Sequence, residues 1–464
     1  MAKQIHLRPP EIEVPENRPF ENDILEREPI GNTLTEFVSR LRGPYVLAID
    51  APWGSGKTTF IRMWEQQLRA AQFKTLFFNA WQNDHTQDPF AALVAELEQS
   101  IAARFSDVLP AQDQLRETRK LAIQVAKRAV PAALRLLTAG ILNLPENYEK
   151  ELGDVAGGLA SDRIGEHTAA KAAVEEFKAS LARLALALGA GEGAKPLVIF
   201  VDELDRCRPS YSIQLLESAK HLFDVPGIVF VLAIDRPQLC EAIRAIYGSG
   251  FRSEGYLRRF IDLDYALPAA KPGAFVSHLF ERLGIIDEFK HRPRRDVSTL
   301  QRTAELLAKA MGFSLREQIQ AIARIGIILN TIPRNHFVHE IELATLVFLR
   351  EWRRDLFDKY SNGEVDQTSI IEALRTSKEG RDGLDDRLGT NVEAVLAAGA
   401  IDMAQSDGPA AKYLGLEGQK SASKEQKERA ERILIMIGNR RNQEGNPIRE
   451  TLERLRLASG FFHE

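Results

Sequence analysis

Residues 45–71 read YVLAIDAPWGSGKTTFIRMWEQQLRAA, and their order decides the fold. YVLAID (45–50) is an apolar run with no polar face, the pattern of a strand buried on both sides in a parallel sheet. APWGSGKTT is a turn carrying two glycines, and TFIRMWEQQLRAA (59–71) resumes apolar residues at helical period. Strand, glycine turn, helix is the arrangement that aims backbone N–H groups and a helix N-terminus at one point. An anion is what such a point holds. The glycines matter because they tolerate the positive φ that turns successive amides inward.

Against the phosphate-loop pattern G-x-x-x-x-G-K-[ST], Ala51–Thr58 reads A-P-W-G-S-G-K-T, with Ala51 in place of the first glycine. Gly54, Ser55, Gly56, Lys57, Thr58 and Thr59 supply the amides. Lys57 reaches the β- and γ-phosphates, and the Thr58 hydroxyl is a magnesium ligand. A bare GK[ST] triplet arises by chance in roughly one chain in five of this size, as an ordinary turn. Its place between a buried strand and a helix separates the two cases. LVIFVDELD (197–205) is a second apolar strand, ending in two carboxylates. Asp202 at its tip would hold magnesium through water, and Glu203 would act as general base on the attacking water. Taken alone the pair could be a solvated strand cap. Beside the upstream loop it has a phosphate and a metal to serve.

Outward from these segments, TLFFNAW (75–81) and IVFVLAID (228–235) are further strands, with helices at about 89–105 and 213–225. Residues 106–190 are Ala-rich and mostly helical. The alternation predicts an α/β fold with a parallel sheet. After about residue 268 helix signals take over, with 358–369 and 404–427 expected as loops. The 464 residues are 44% hydrophobic and 27% charged, which excludes general disorder and allows roughly two or three domains. A net charge of −4 gives no bulk reason to favour nucleic acid or an anionic membrane. Cys207 and Cys240 are too few for a disulfide scaffold and suit a reducing, cytoplasmic setting. The N-terminus lacks the apolar core of a secretory signal. The most apolar helical stretch, 129–145, is broken by Arg135, well short of the ~18–20 residues a bilayer needs. No integral membrane span is expected.

With these motifs in hand the chain resembles the KAP family of P-loop NTPases. The resemblance runs through Trp53–Thr58, Phe78-Asn79-Ala80-Trp81, Asp88-Pro89-Phe90 and DELDRCRP (202–209), then His221-Leu222-Phe223, FVLAID (230–235) and YLRRF (256–260). DILER (23–27) resembles the family's N-terminal box, which contacts the base. The resemblance implies a three-layer αβα core with a helical insertion and a mostly α-helical lid. On it, residues 1–19 are an extended arm, 20–268 the core with 106–190 inserted, 269–357 the lid and 358–464 a helical C-terminal region. It implies ATP and Mg2+ as ligands, with Trp53 in the nucleotide loop. It places the strand ending at Asp235 between the two motif strands, with Asp235 as γ-phosphate sensor. Arg259, or its neighbour Arg258, would be an arginine finger or else a helix-surface salt bridge, and Arg334 in Thr331–Arg334 a second sensor. Bacterial relatives of this kind suggest signalling or antiviral-defence ATPases, working as homo-oligomers or with a separately encoded effector protein.

Other features read more plainly. Many family members carry transmembrane helices between the two motifs. Here a basic amphipathic stretch at 120–141 remains, either packed on the core or touching a membrane surface or partner. The basic run Lys290–Arg295 reads as a solvated loop, and His336 and His339 lack a third ligand in zinc spacing. Arg206 and Arg208 flank Cys207 and could lower its pKa, but packing is the plainer reading. Two functions stand: an ATPase using Glu203, or a nucleotide-bound switch with little turnover. A nucleic-acid motor is not favoured.

Overall fold

In a computed structural model of the chain, the described residues are 12–41, 43–86, 89–104, 114, 116–118, 120–121, 160–188, 195–219, 224–269, 272–290, 292, 297–404, 408–419, 421–441 and 447–459. They form two compact units, one of Ile12–Ala269 and the other including Ala270–Glu464. The His221–Phe223 motif, Asp88 and most of the basic amphipathic stretch lie outside the described residues.

The first unit is built on five parallel strands: β1 (Tyr45–Asp50), β2 (Lys74–Asn79), β3 (Leu197–Asp202), β4 (Ile228–Ile234) and β5 (Leu263–Ala266). Their order is β2-β3-β4-β1-β5. The strand before Asp235 therefore lies between β1 and β3, paired Leu47 to Val231 on one side and Phe200 to Val231 on the other. Parallel strands need crossover connections, and these put helices on both faces. Successive residues of each strand feed opposite faces. Val46, Ala48, Ile199, Phe230 and Leu232 join the core under helices α3 (Pro89–Arg104), α4 (Ala160–Ala187), α5 (Pro209–Ala219) and α6 (Arg236–Tyr247). Leu47, Ile49, Val198, Phe200 and Val231 join the core under α1 (Glu28–Arg40) and α2 (Lys57–Ala70).

Double burial explains why β3 and β4 read as unbroken apolar runs: every residue of each is buried. On the α2 face Trp64 stacks on Phe60 and meets Phe200 edge-on, while the Arg62 guanidinium lies 3.4 Å from the Phe77 ring centroid. β5 gave no sequence signal because it is a four-residue edge strand, mostly exposed, paired only with β1.

Among its described residues the second unit is helical, from Pro272–Arg282 to Pro447–Ser459. Its Leu315–Thr331 helix opens on a reciprocal cap, Ser314 Oγ accepting from the Glu317 amide and the Glu317 carboxylate from the Ser314 amide. Both expected loops prove shorter than expected. Within 358–369 the helix Arg354–Ser361 continues and Gln367–Leu374 begins, capped by Asp366. Within 404–427 lies the helix Gly408–Gly418. Polar composition there marks an exposed helix face, not a missing helix: Leu356, Phe357 and Tyr360 form the buried side of Arg354–Ser361.

The basic run at 290–295 also needs correction at Arg292, which is buried. It donates to the Leu329, Ile332 and Pro333 carbonyls and pairs with Glu288 at 3.1 Å, closing a helix C-terminus. No helix among the described residues is long and apolar enough to cross a membrane.

Candidate functional site

The site lies at the C-terminal ends of β1, β3 and β4. After Asp50 the chain leaves the sheet, and Gly54 (φ +76°) and Gly56 (φ +80°) take the left-handed conformations that the loop demands. Gly56 is the N-cap of α2. By the geometry of any α-helix, its first-turn amides have no intrahelical acceptor and are left for a ligand. Ser55 Oγ is buried without a partner among the described residues.

Asp202 ends β3, level with Asn79 on β2 and Ala233 on β4. It is fully buried. Burial pushes its carboxyl up to about 6, against hydrogen bonds from Thr58 and the Glu203 amide. The latter reaches Oδ1 at 2.8 Å, while Oδ2 is buried with no partner among the described residues. Such an orphaned carboxylate oxygen beside a threonine hydroxyl fits a divalent cation, whose charge would offset the desolvation. No cluster of three or more acidic, His or Cys ligands occurs among the described residues, so a cation here would take its remaining ligands from phosphate and water.

Glu203 sits next, in the left-handed region at φ +60°. For a glutamate that costs on the order of 1–3 kcal/mol, and such strain gathers at sites where a side chain must be aimed. Both its oxygens are engaged: Asn79 Nδ2 donates to Oε2 at 3.0 Å, and Arg206 Nη1 lies 2.7 Å from Oε1.

Lys57 is buried, its Nζ donating to the Ala51 carbonyl at 3.1 Å and lying 3.7 Å from Asp205 Oδ2. Burial pushes the ammonium pKa down, opposed by the carboxylates of Asp205, Asp202, Asp235 and Asp50. Asp205 Oδ2 also accepts from the Trp53 indole, whereas Oδ1 is buried with no partner among the described residues. Burial raises the Asp205 pKa, and Lys57 and the indole oppose the rise. Asp235 caps α6, accepting from the Gln238 amide at 3.3 Å, and also receives the Trp53 amide at 2.8 Å. Asp50 accepts from the Arg236 amide at 3.0 Å.

The structure thus brings Trp53, Lys57, Thr58, Asp202, Glu203 and Asp235 together within one unit. The Trp53, Gly54, Ser55, Gly56, Lys57, Thr58 and Thr59 segment forms the loop and the start of α2. Arg258 and Arg259 follow the short helix Ser253–Leu257 in the same unit and are exposed. Arg334 belongs to the other unit, where it is exposed and pairs with Glu288 at 3.3 Å.

Sequence reasoning passed over Asp205, although it lies two residues past Glu203 in the same acidic run. It also missed the role of Arg27. That side chain is buried and donates to the Gly56 and Pro268 carbonyls at 3.4 and 3.0 Å, while its amide is held by Asp23. The DILER segment therefore braces the phosphate loop. Cys207 is no activated thiol: burial raises its pKa, and its flanking arginines are turned to Glu203 and Asp84.

A model of the KAP family P-loop domain matches residues 27–332. The phage T7 exclusion protein of Escherichia coli (strain K12) is 22% identical over 262 residues, 54% of this chain and 34% of that protein. The chain therefore spans about a third of that relative's length. Among solved structures, the Aeropyrum pernix ORC2 protein (ADPNP–ADP complexes) has a TM-score of 0.33 at 13% identity, over 99% of this chain and 97% of that one. Drosophila ORC bound to GC-rich DNA and Cdc6 has a TM-score of 0.29 at 10% identity, over 92% and 61%. The family match covers well over half of the sequence, and the strand order and loop geometry agree with it. The chain belongs to the KAP family of P-loop domains.

Proposed function

We propose that this nucleotide-binding P-loop domain binds ATP with Mg2+ and hydrolyses it. The observation that carries the reading is Asp202: fully buried, beside Thr58, with one oxygen that has no hydrogen-bond partner among the described residues. A carboxylate is kept there at a cost to stability, and a cation on a bound polyphosphate repays it. Thr58 and Asp202 would hold magnesium, which when bound supplies positive charge to the phosphate oxygens. The loop amides from Gly54 to Thr59 cradle the phosphates, and Lys57 neutralises charge on the β- and γ-groups.

Glu203 is the general base. Asn79 and Arg206 each hold one of its oxygens, which aims the carboxylate while leaving a lone pair on each oxygen to accept a proton from water. Asp235 acts as the γ-phosphate sensor, in contact with the loop through the Trp53 amide. Exposed Arg259, or Arg258 beside it, is free to serve a neighbouring subunit as an arginine finger. Arg334 serves as a second sensor from the 269–357 lid. We place the work in the cytoplasm, in a homo-oligomer or with an effector protein. The phage-exclusion relative supports a defence role.

Phosphate release from ATP by the purified chain, with and without Glu203→Gln, tests this. Turnover lost in the variant with ATP binding intact supports it. ATP binding without turnover in either protein overturns hydrolysis and leaves a nucleotide switch.

A further inference from the structure

Four carboxylates face Lys57, and three of them have other work. Asp235 holds the Trp53 and Gln238 amides, Asp50 holds the Arg236 amide, and Asp202 holds the Glu203 amide. Asp205 differs. Among the described residues it is the one carboxylate within ion-pair reach of Lys57 Nζ, at 3.7 Å, and both side chains are buried, at 8% and 1% exposure. The same oxygen, Oδ2, takes the Trp53 indole N–H. Trp53 is thereby tied twice, by its amide to Asp235 and by its ring to Asp205.

From this geometry we infer that Asp205 is a positioning residue. It holds the phosphate-loop lysine while the loop is empty and sets how tightly the loop takes a polyphosphate. The inference rests on the nucleotide-binding reading above and adds a competitor to it. An arriving phosphate and Asp205 both want the Lys57 ammonium, and in a buried setting the carboxylate also repels the anion. The indole N–H moderates that hold, because it shares the oxygen that faces Lys57. Removing the charge of Asp205 while keeping an acceptor for the indole frees the lysine for phosphate. Removing the indole donor leaves the full carboxylate on the lysine and has the opposite effect.

The experiment is calorimetric titration of the full chain in EDTA, so that no metal enters, with inorganic pyrophosphate, ADP and adenosine as probes. Asp205→Asn is expected to bind pyrophosphate and ADP about tenfold more tightly, which corresponds to about 1.4 kcal/mol. Trp53→Phe is expected to bind pyrophosphate two- to threefold more weakly, by the order of a lost charge-assisted hydrogen bond shared between two donors. Adenosine, lacking phosphate, is expected to be unaffected by Asp205→Asn. A residue with only a structural role would lose affinity in both variants. Unchanged or weaker pyrophosphate binding in Asp205→Asn overturns the proposal, whatever wild type does with ADP. If Asp205→Asn does not fold, tighter or equal pyrophosphate binding in Trp53→Phe overturns it. Wild type failing to bind ADP and pyrophosphate at millimolar concentration overturns the nucleotide-binding reading and this inference together.

Discussion

Each unit of the molecule buries a cluster of charges, and the two clusters are finished differently. In the helical unit, Glu393 accepts from Tyr413 Oη at 2.9 Å on one oxygen and from Arg429 at 2.7 Å on the other, and Arg429 reaches Thr390 at 2.7 Å. Both carboxylate oxygens are used. In the sheet unit, Asp202 and Asp205, a few residues apart, each leave one buried oxygen without a partner among the described residues. A closed network stiffens the packing around it. An open one carries a desolvation cost that only something from outside the chain can remove.

That contrast can be broken or sharpened by substitution. The largest expected effect is on chemistry: Glu203→Gln lowers phosphate release by on the order of 100- to 1,000-fold with ATP affinity retained, read by steady-state turnover and equilibrium binding. Next comes the closed cluster. Arg429→Ala strands the Glu393 charge and destabilises the helical unit by roughly 3 kcal/mol, seen as a lower denaturation midpoint. The open cluster should respond with the opposite sign. Asp202→Asn is expected to stabilise by up to about 2 kcal/mol without nucleotide and in EDTA, and, in a separate titration with Mg2+, to lose magnesium-dependent nucleotide binding.

The sign of the pH dependence follows from the raised pKa of Asp202, about 6 when folded against 3.8. The folded state holds that proton more tightly than the unfolded one, so the contribution of Asp202 to wild-type stability falls as pH rises from about 4 to 6. The gain in Asp202→Asn should grow over the same window. Below pH 4 the two proteins should melt alike, and a gain that persists there would break the comparison. Smallest is the local control: Ser314→Ala, which breaks a helix cap touching neither cluster, costs about 1 kcal/mol and leaves nucleotide binding unchanged.

How much of this could be read from the sequence differs between the two clusters as well. The open site follows from local chemistry: apolar strands, glycines at the turning points and acids at a strand tip are each written in consecutive residues. That is why Lys57, Thr58, Asp202 and Glu203 stand out from the sequence as site candidates. The partners of Asp205 and Arg27 are fixed by tertiary packing, across separations of 148 to 241 residues in the case of Lys57 and Pro268, and no spacing rule reaches them. Arg292 misled for a related reason. A run of charges reads as solvated, yet one member can be drawn inside by a helix end full of free carbonyls. The helix Arg354–Ser361 was obscured because its exposed polar face dominates the composition. The edge strand β5 was hidden because most of it is not buried at all.

The left-handed backbone of Glu203 bears on how this chain would change under different selective regimes. Glycine meets no steric cost in that geometry, so a population selected only for thermal endurance would be drawn toward glycine at 203, and toward asparagine at 202. Both drifts would erase the acids. Directed evolution for heat tolerance therefore offers an unbiased assay: loss of these two side chains first would mark where fold and chemistry are in conflict.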